Sequence, residues 1–223
     1  QWWRDVIREA ASGGEPKAHE VAGPLARLIQ TDAALVSDIS ELDGEDVLSS
    51  MVSGYEVELD APFTAEEFDL WAQNRFGARL GLAGSISPLG AEYGHDADDS
   101  AAARVLALGL ACRTAHRMAA EKGHCLLPDT EPEELGALAR GEVTSALGAR
   151  VSGFGQSLLD GLRALRRSRR LRGEALIAHL PIAREARIIA RIARDPARLL
   201  EGLDGEVPFS GLRLAWAVWR RRW

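Results

Sequence analysis

Residues 101–128 read AAARVLALGLACRTAHRMAAEKGHCLLP and contain a single carboxylate, Glu121. Their wealth of alanine and leucine predicts a buried central helix. Gly123 is expected to end this helix, which then leaves through a short apolar, strand-like run into Pro128. In an α-helical enzyme, such a helix can hold a metal ion between aspartates at positions i and i+4, because these share a face. The missing carboxylates therefore limit a catalytic interpretation.

The composition indicates a globular chain without a membrane-spanning segment. The chain has 223 residues, of which 46% are hydrophobic and 27% are charged, as in ordinary soluble domains. No apolar run reaches the roughly 20 residues that span a bilayer, and no secretory signal is visible. A helix between Cys112 and Cys125 would hold them roughly 20 Å apart, too far for a disulfide. We therefore expect a reducing, cytoplasmic compartment.

Helical periodicity dominates the chain, and glycine and proline separate the helices. A capping box at Thr64 and Glu67 predicts one helix start. Further helices are expected at 19–29, 32–51, 135–150, 156–172, 181–194 and 209–222, with a connection over 54–63 and a break at Gly153 and Gly155. No long linker interrupts this pattern, so residues 1–223 are expected to form one all-α domain. Because Trp2 and Trp3 already lie on a helical stripe, we expect the first helices of the domain upstream of this chain.

Charge is divided unevenly along the chain. Residues 1–100 carry 20 acidic and 6 basic side chains, whereas residues 101–223 carry 13 acidic and 21 basic ones. In the second part, four arginines recur at helical spacing and share one face: Arg184, Arg187, Arg191 and Arg194. This basic surface suits anionic lipid head groups or an acidic protein partner, and the alternative is an ordinary solvated helix face. No nucleic-acid partner is expected, because the net charge is −6 and no recognised motif is present.

An acidic cluster is a candidate metal site. Asp38, Glu41 and Glu45 share one predicted helix face, and three carboxylates can hold Mg²⁺ together with a substrate phosphate. The simpler alternative is a charged helix surface. No catalytic triad, nucleophile elbow, P-loop, dinucleotide-binding or zinc-protease motif occurs, so the ordinary enzyme classes are not indicated.

A series of motifs follows in a defined order along the chain. They are QWWRD at 1–5, HEVAGPL at 19–25, residues 39–47 and 64–77, GHCLLP at 123–128, residues 162–167 and HLP at 179–181. In this order they resemble the squalene/phytoene synthase family, over nearly the whole chain. The resemblance implies the all-α isoprenoid synthase fold, here without its first N-terminal helices.

The catalytic members of that family join two prenyl diphosphates head to head. They use two aspartate-rich motifs that hold Mg²⁺ against the diphosphates, whose negative charge the metal must neutralise. The resemblance places Ala115 and Ala119 where the aspartates of the second motif would stand, and the first motif upstream of Gln1. The QWWRD and GHCLLP motifs resemble in particular a divergent branch that includes the mitochondrial complex I assembly factor related to phytoene synthase.

We therefore expect a non-catalytic or atypical member of this family. It would bind an isoprenoid diphosphate or another lipid, or assist the assembly of a membrane complex from the cytoplasmic side, and need no cofactor. One alternative is a Mg²⁺-dependent prenyl-diphosphate transferase with displaced carboxylates such as Glu41, Asp46 and Glu121. A second alternative is a helical interaction module without a ligand pocket. If a pocket is present, the residues expected near it are Glu41, Asp46, Trp71 and Arg75.

Overall fold

The computed structural model describes residues 1–15, 18–31, 47–61, 63–81, 97–168 and 174–202. Every regular element in these ranges is helical, which confirms the all-α prediction. Helices α1 to α3 span Trp2–Ala11, Ala22–Thr31 and Val47–Val57, and a short 3₁₀ turn follows at Glu58–Asp60. Helix α4 spans Ala65–Ala72 and continues through a π-helical turn at Gln73–Gly77 to residue 81. Helices α5 to α8 span Ala97–Lys122, Pro132–Ala139, Ser145–Ser168 and Glu174–Arg194, followed by a 3₁₀ turn at Pro196–Leu200.

Helix α5 lies at the centre of the main core. The π turn, α4, α6, α7 and α8 all pack directly against it. Its buried face consists largely of small side chains, among them Ala107, Ala111 and Ala115, each with no exposed surface. Small side chains allow neighbouring helices to approach closely, so α5 can be contacted on several sides at once. The predicted central helix is thereby confirmed.

The three N-terminal helices enclose a second, smaller apolar cluster. It is formed by Ile7, Ala10, Ala26, Ile29 and Leu48, all buried. The side-chain amide of Gln30 donates to the backbone carbonyl oxygen of Gly14 at 3.1 Å, and so fixes the end of α2 beside the end of α1. Helix α3 connects this cluster to the main core, since it packs against both α1 and the π turn.

The exit from α5 differs from the sequence prediction. The helix ends as expected, and Gly123 adopts a φ of 69° that favours glycine. The apolar run before Pro128 is not a strand, however, but an irregular segment. Leu126 and Leu127 are buried in the main core, and the hydroxyl group of Thr130 donates to the carbonyl oxygen of Leu127 at 2.9 Å. Burial of its side chains and the hydrogen bond from Thr130 therefore fix this segment, which forms no strand.

Several predicted boundaries were wrong because glycine was taken as a helix breaker. Gly153 and Gly155 lie inside α7, and the actual break falls at 140–144, where Gly141 has a φ of 80°. Gly54 lies inside α3, in the predicted connection. At position 155 a Cβ atom would lie 2.9 Å from the side chain of Ile189, so this glycine serves close helix packing.

Other predictions can be judged directly. The capping box is confirmed, since the Thr64 hydroxyl group accepts from the backbone N–H of Glu67 and the Glu67 carboxylate accepts from that of Thr64. Cys112 and Cys125 are both buried and free. The predicted helix over 209–222 and residues 32–46 of another lie outside the described residues. Among the helices of the described ranges, none has the length and apolarity to cross a bilayer.

We predict that Trp71→Ala destabilises the fold by about 3–5 kcal/mol, because it removes a large, fully buried side chain from the main core. The adjacent Leu70 is 58% exposed, so Leu70→Ala should change the free energy of unfolding by no more than about 0.5 kcal/mol. Urea unfolding of both variants measures the difference. Similar losses in the two variants would contradict the placement of α4.

Candidate functional site

The structure describes two of the four residues that the sequence predicted near a pocket. Trp71 and Arg75 lie on α4 and its π turn, whereas Glu41 and Asp46 lie outside the described residues. Trp71 is fully buried, and its indole N–H donates to Glu58 at 3.3 Å. Trp71 is thus part of the core that lies behind the π turn.

Arg75 is held in place by three groups. Its Nε atom donates to the Glu58 carboxylate at 2.7 Å, and its guanidinium carbon lies 3.4 Å from the ring centroid of Tyr55 and 5.5 Å from that of Phe76. Its Nη1 atom is buried and has no hydrogen-bond acceptor among the described residues. An unmatched buried donor costs about 1–3 kcal/mol, and an oxygen atom of a bound anion would remove that cost.

The π turn determines how Arg75 is presented. A π turn widens the helix by one residue and is frequent at functional sites. At position 54 a Cβ atom would lie 2.8 Å from the Cα atom of Arg75, so Gly54 allows α3 to contact the backbone of the turn. At position 77 a Cβ atom would lie 2.7 Å from the side chain of Gln73, on the preceding turn of the same segment. Two glycines therefore make room for this irregular turn.

A cleft of about 470 Å³ opens beside the π turn, between the end of α4, α5 and α8. We call it the arginine cleft; its lining residues are Arg75, Phe76, Arg79, Leu80, Leu106, Leu110, Arg113, Pro181 and Glu185. It combines three guanidinium groups and one carboxylate with five apolar side chains. Its volume lies within the range of small-molecule sites, which are mostly apolar with a few polar groups.

A buried ion pair forms one wall of the arginine cleft. Arg113 donates from Nε to one oxygen of Glu185 at 3.2 Å, and its Nη2 lies 3.1 Å from the other oxygen, so the pair is bidentate. The Glu185 side chain is only 7% exposed. Burial raises the pKa of Glu185 above its ordinary value of 4.5, and the charge and hydrogen bond of Arg113 act against this rise.

Gly109 allows Glu185 to occupy this position. A Cβ atom at residue 109 would lie 2.6 Å from the Cβ atom of Glu185, so a residue larger than glycine does not fit at position 109 without displacing Glu185. The third arginine of the cleft, Arg79, is exposed and donates to the Tyr55 hydroxyl group at 2.6 Å. The cleft thus has a buried charged wall and an accessible arginine.

Sequence reasoning missed three polar residues of the cleft, Arg79, Arg113 and Glu185. A weak signal was present, because Glu185 is a carboxylate on the apolar face of α8, between the buried Ile182 and Ile189. A carboxylate on such a face needs a partner. Nothing in the sequence spacing identifies Arg113, 72 residues earlier, as that partner.

The four predicted surface arginines of α8 do not share one environment. Arg184 and Arg194 are exposed, whereas Arg187 is partly buried. Arg191 is 39% exposed and lies 3.6 Å from Glu201. Of the four, Arg184 and Arg194 are therefore the ones that the described residues leave exposed.

The acidic cluster proposed as a magnesium site, Asp38, Glu41 and Glu45, lies outside the described residues. Ala115 and Ala119 are buried in the main core, and their methyl groups cannot bind a cation. Glu121 is exposed at the end of α5. Across the ranges that the structure describes, no three His, Cys, Asp or Glu residues are grouped in a way that could hold a metal ion.

Protein-family models, curated proteins and solved structures were all compared with this chain, and none of them matches it. The family resemblance therefore stays a proposal that rests on the order of the sequence motifs. The arginine cleft does not depend on it, because its residues and contacts come from the structure.

We predict that Gly109→Ala destabilises the fold by about 1–3 kcal/mol, since the new methyl group displaces the buried Glu185. Gly153→Ala is the matched control: its Cβ would meet nothing within 4 Å, so it should stabilise α7 by about 0.4–1 kcal/mol. Thermal and urea unfolding give both values. A gain in stability for Gly109→Ala would contradict the close contact.

The raised pKa of Glu185 predicts a specific dependence of stability on pH. The folded state holds the Glu185 proton more tightly than the unfolded chain, so this contribution to the free energy of unfolding is complete below about pH 4.5. It is lost as the pH rises through the pKa of the folded state. Urea unfolding between about pH 4 and 7 should show that the free energy of unfolding of wild type falls, relative to that of Glu185→Gln, as the pH rises. A difference independent of pH would contradict this prediction.

Proposed function

We propose that this chain is a squalene/phytoene synthase-like protein that binds an isoprenoid or related lipid by its anionic head group, without condensing two such molecules. The observation that carries this proposal is the arginine cleft, where three guanidinium groups lie beside an apolar wall. This combination complements a molecule with a phosphate or diphosphate head and a hydrocarbon chain.

The polar side of the cleft suits a phosphate group. Guanidinium groups donate parallel hydrogen bonds to phosphate oxygens and keep their charge at all physiological pH values. Arg75 has a buried donor without an acceptor among the described residues, and Arg79 is exposed to an approaching ligand. Arg75 and Arg113 already pair with Glu58 and Glu185, so a bound phosphate would add to these contacts and would meet Arg79 as the cleft arginine without a carboxylate partner among the described residues.

The apolar side of the cleft suits a hydrocarbon chain. Phe76, Leu80, Leu106, Leu110 and Pro181 line it. Burying each methylene group of a ligand against such a wall contributes about 0.8 kcal/mol. A prenyl chain therefore gains affinity with length until it extends beyond the cleft.

The proposed absence of condensation follows from chemistry at α5. Departure of a diphosphate requires a group that neutralises its growing charge, a task that metal ions commonly perform. The family resemblance assigns this task in part to positions 115 and 119, and both carry alanine in the main core. The role proposed here for the arginines of the cleft is to hold a diphosphate, not to assist its departure.

The membrane is the proposed source of the ligand. Arg184 and Arg194 are exposed on α8, the helix that also contributes Pro181 and Glu185 to the cleft. Basic side chains are attracted to the anionic lipids of a cytoplasmic leaflet. We propose that the protein works at this surface and that its lipid-bound form assists the assembly of a membrane complex.

Binding of geranylgeranyl diphosphate, measured by isothermal titration calorimetry, tests the proposal. We predict saturable binding that Arg79→Ala and Arg75→Lys each weaken about tenfold, since each removes a matched guanidinium contact. The control is Arg140→Ala, an arginine that is 66% exposed and outside the cleft. It should leave the affinity unchanged.

Two results would contradict the proposal in different ways. If the wild-type chain does not bind, or if the cleft variants and the control weaken binding equally, the cleft is not the lipid site. If incubation with Mg²⁺ yields a head-to-head condensation product, the transferase alternative is correct.

A further inference from the structure

Glu185 has no evident place in a site built to hold anions. It is the one carboxylate among the residues that line the arginine cleft, and it is almost fully buried. Each of its two oxygens interacts with Arg113. A carboxylate has about four lone-pair sites, so its oxygens can still accept a hydrogen bond from a ligand.

The position of Glu185 is built into the helix packing. Gly109 of α5 has no side chain that would displace Glu185. Arg113, one turn further along α5, pairs with it. The charged and titratable groups that face it are few. Among the described residues they are Arg113 and Cys112 of α5, Arg184 of its own helix, and Arg75 and Arg79 across the cleft.

This arrangement treats two kinds of anion differently. While Glu185 is ionised, a fully ionised anion that approaches Arg113 meets the negative charge of that carboxylate, and repulsion is strong where little water is present. An anion that keeps one acidic proton can instead donate a hydrogen bond to Glu185. Phosphate monoesters have such a proton, with a pKa of about 6, whereas a sulfate monoester has none near neutral pH.

We propose that Glu185 is a specificity-determining residue, which selects ligands with a phosphate head group over ligands with a sulfate head group. The bound phosphate carries one proton and donates it in a hydrogen bond to Glu185, while its other oxygens accept from the arginines of the cleft. This selection rests on the lipid-binding function proposed above. It specifies which head group the proposed lipid ligand carries.

The first test compares octyl phosphate with octyl sulfate, which have the same hydrocarbon chain. Their dissociation constants are measured by calorimetry near pH 6 for wild type and Glu185→Gln. In wild type the phosphate should bind about tenfold more tightly than the sulfate, the effect expected of one hydrogen bond to a charged group. In Glu185→Gln this ratio should fall to near unity, mainly through tighter binding of the sulfate. Glu121→Gln removes an exposed carboxylate outside the cleft and should keep the wild-type ratio.

The second test uses only wild-type protein and so holds even if Glu185→Gln does not fold. Near pH 7.5 free octyl phosphate is mostly a dianion, so binding in the protonated form takes up close to one proton. Calorimetry in buffers of different ionisation enthalpy measures this uptake. We expect clearly more uptake with octyl phosphate than with octyl sulfate.

The outcomes separate the two proposals. If wild type binds neither octyl phosphate nor geranylgeranyl diphosphate, the lipid site itself is wrong, and the selection is lost with it. If both octyl compounds bind, but the affinity ratio is the same in wild type and Glu185→Gln, Glu185 does not select and only this inference is overturned. Equal proton uptake with the two compounds overturns it as well.

Discussion

Close packing around a helix of small side chains is the constraint on which the structure depends. Helix α5 is contacted by the π turn, α4, α6, α7 and α8, and this is possible because its buried positions are largely alanine. Replacing Ala107 or Ala111 by a larger residue would push at least one neighbour outward. Stability and the shape of the cleft therefore have the same origin.

The same constraint explains a buried ion pair at the edge of the core. Gly109 brings α8 so near to α5 that a buried carboxylate, Glu185, meets Arg113 of α5. A buried ion pair of this kind adds little net stability over an apolar pair, because both charges lose their hydration. A chain selected for stability alone has no need of it. Its presence at the wall of a cleft fits a role in recognition.

The sequence predicted what depends on local patterns. The central helix, the capping box at Thr64 and the all-α class follow from helix propensity and periodicity, which act within a few residues. Glycine misled the prediction, because Gly155 was taken as a break although it serves contact with a neighbouring helix. Glycine lowers helix propensity locally, but Gly155 makes room for Ile189, a residue distant in the chain.

Little of the candidate site was predictable for the same reason. Of the two described residues named from the motif order, Arg75 lines the cleft and Trp71 does not, and several of the residues that complete the cleft come from α5 and α8. Arg113 and Glu185 are far apart in the chain, and only the tertiary packing joins them. Sequence patterns identify the residues of one helix well, but a cleft is formed by several.

The π turn at Gln73–Gly77 has an evolutionary consequence. It accommodates one residue more than a regular helix would, and the extra residue is absorbed within the turn itself. Loss of a single residue here would therefore restore a regular helix and leave Arg79 and Leu80 close to their present faces. The change would be confined to the turn, where Gly54 and Gly77 make room for the wider backbone. Deletion of one codon would thus alter the position of Arg75 in one step and leave the core around Leu80 intact.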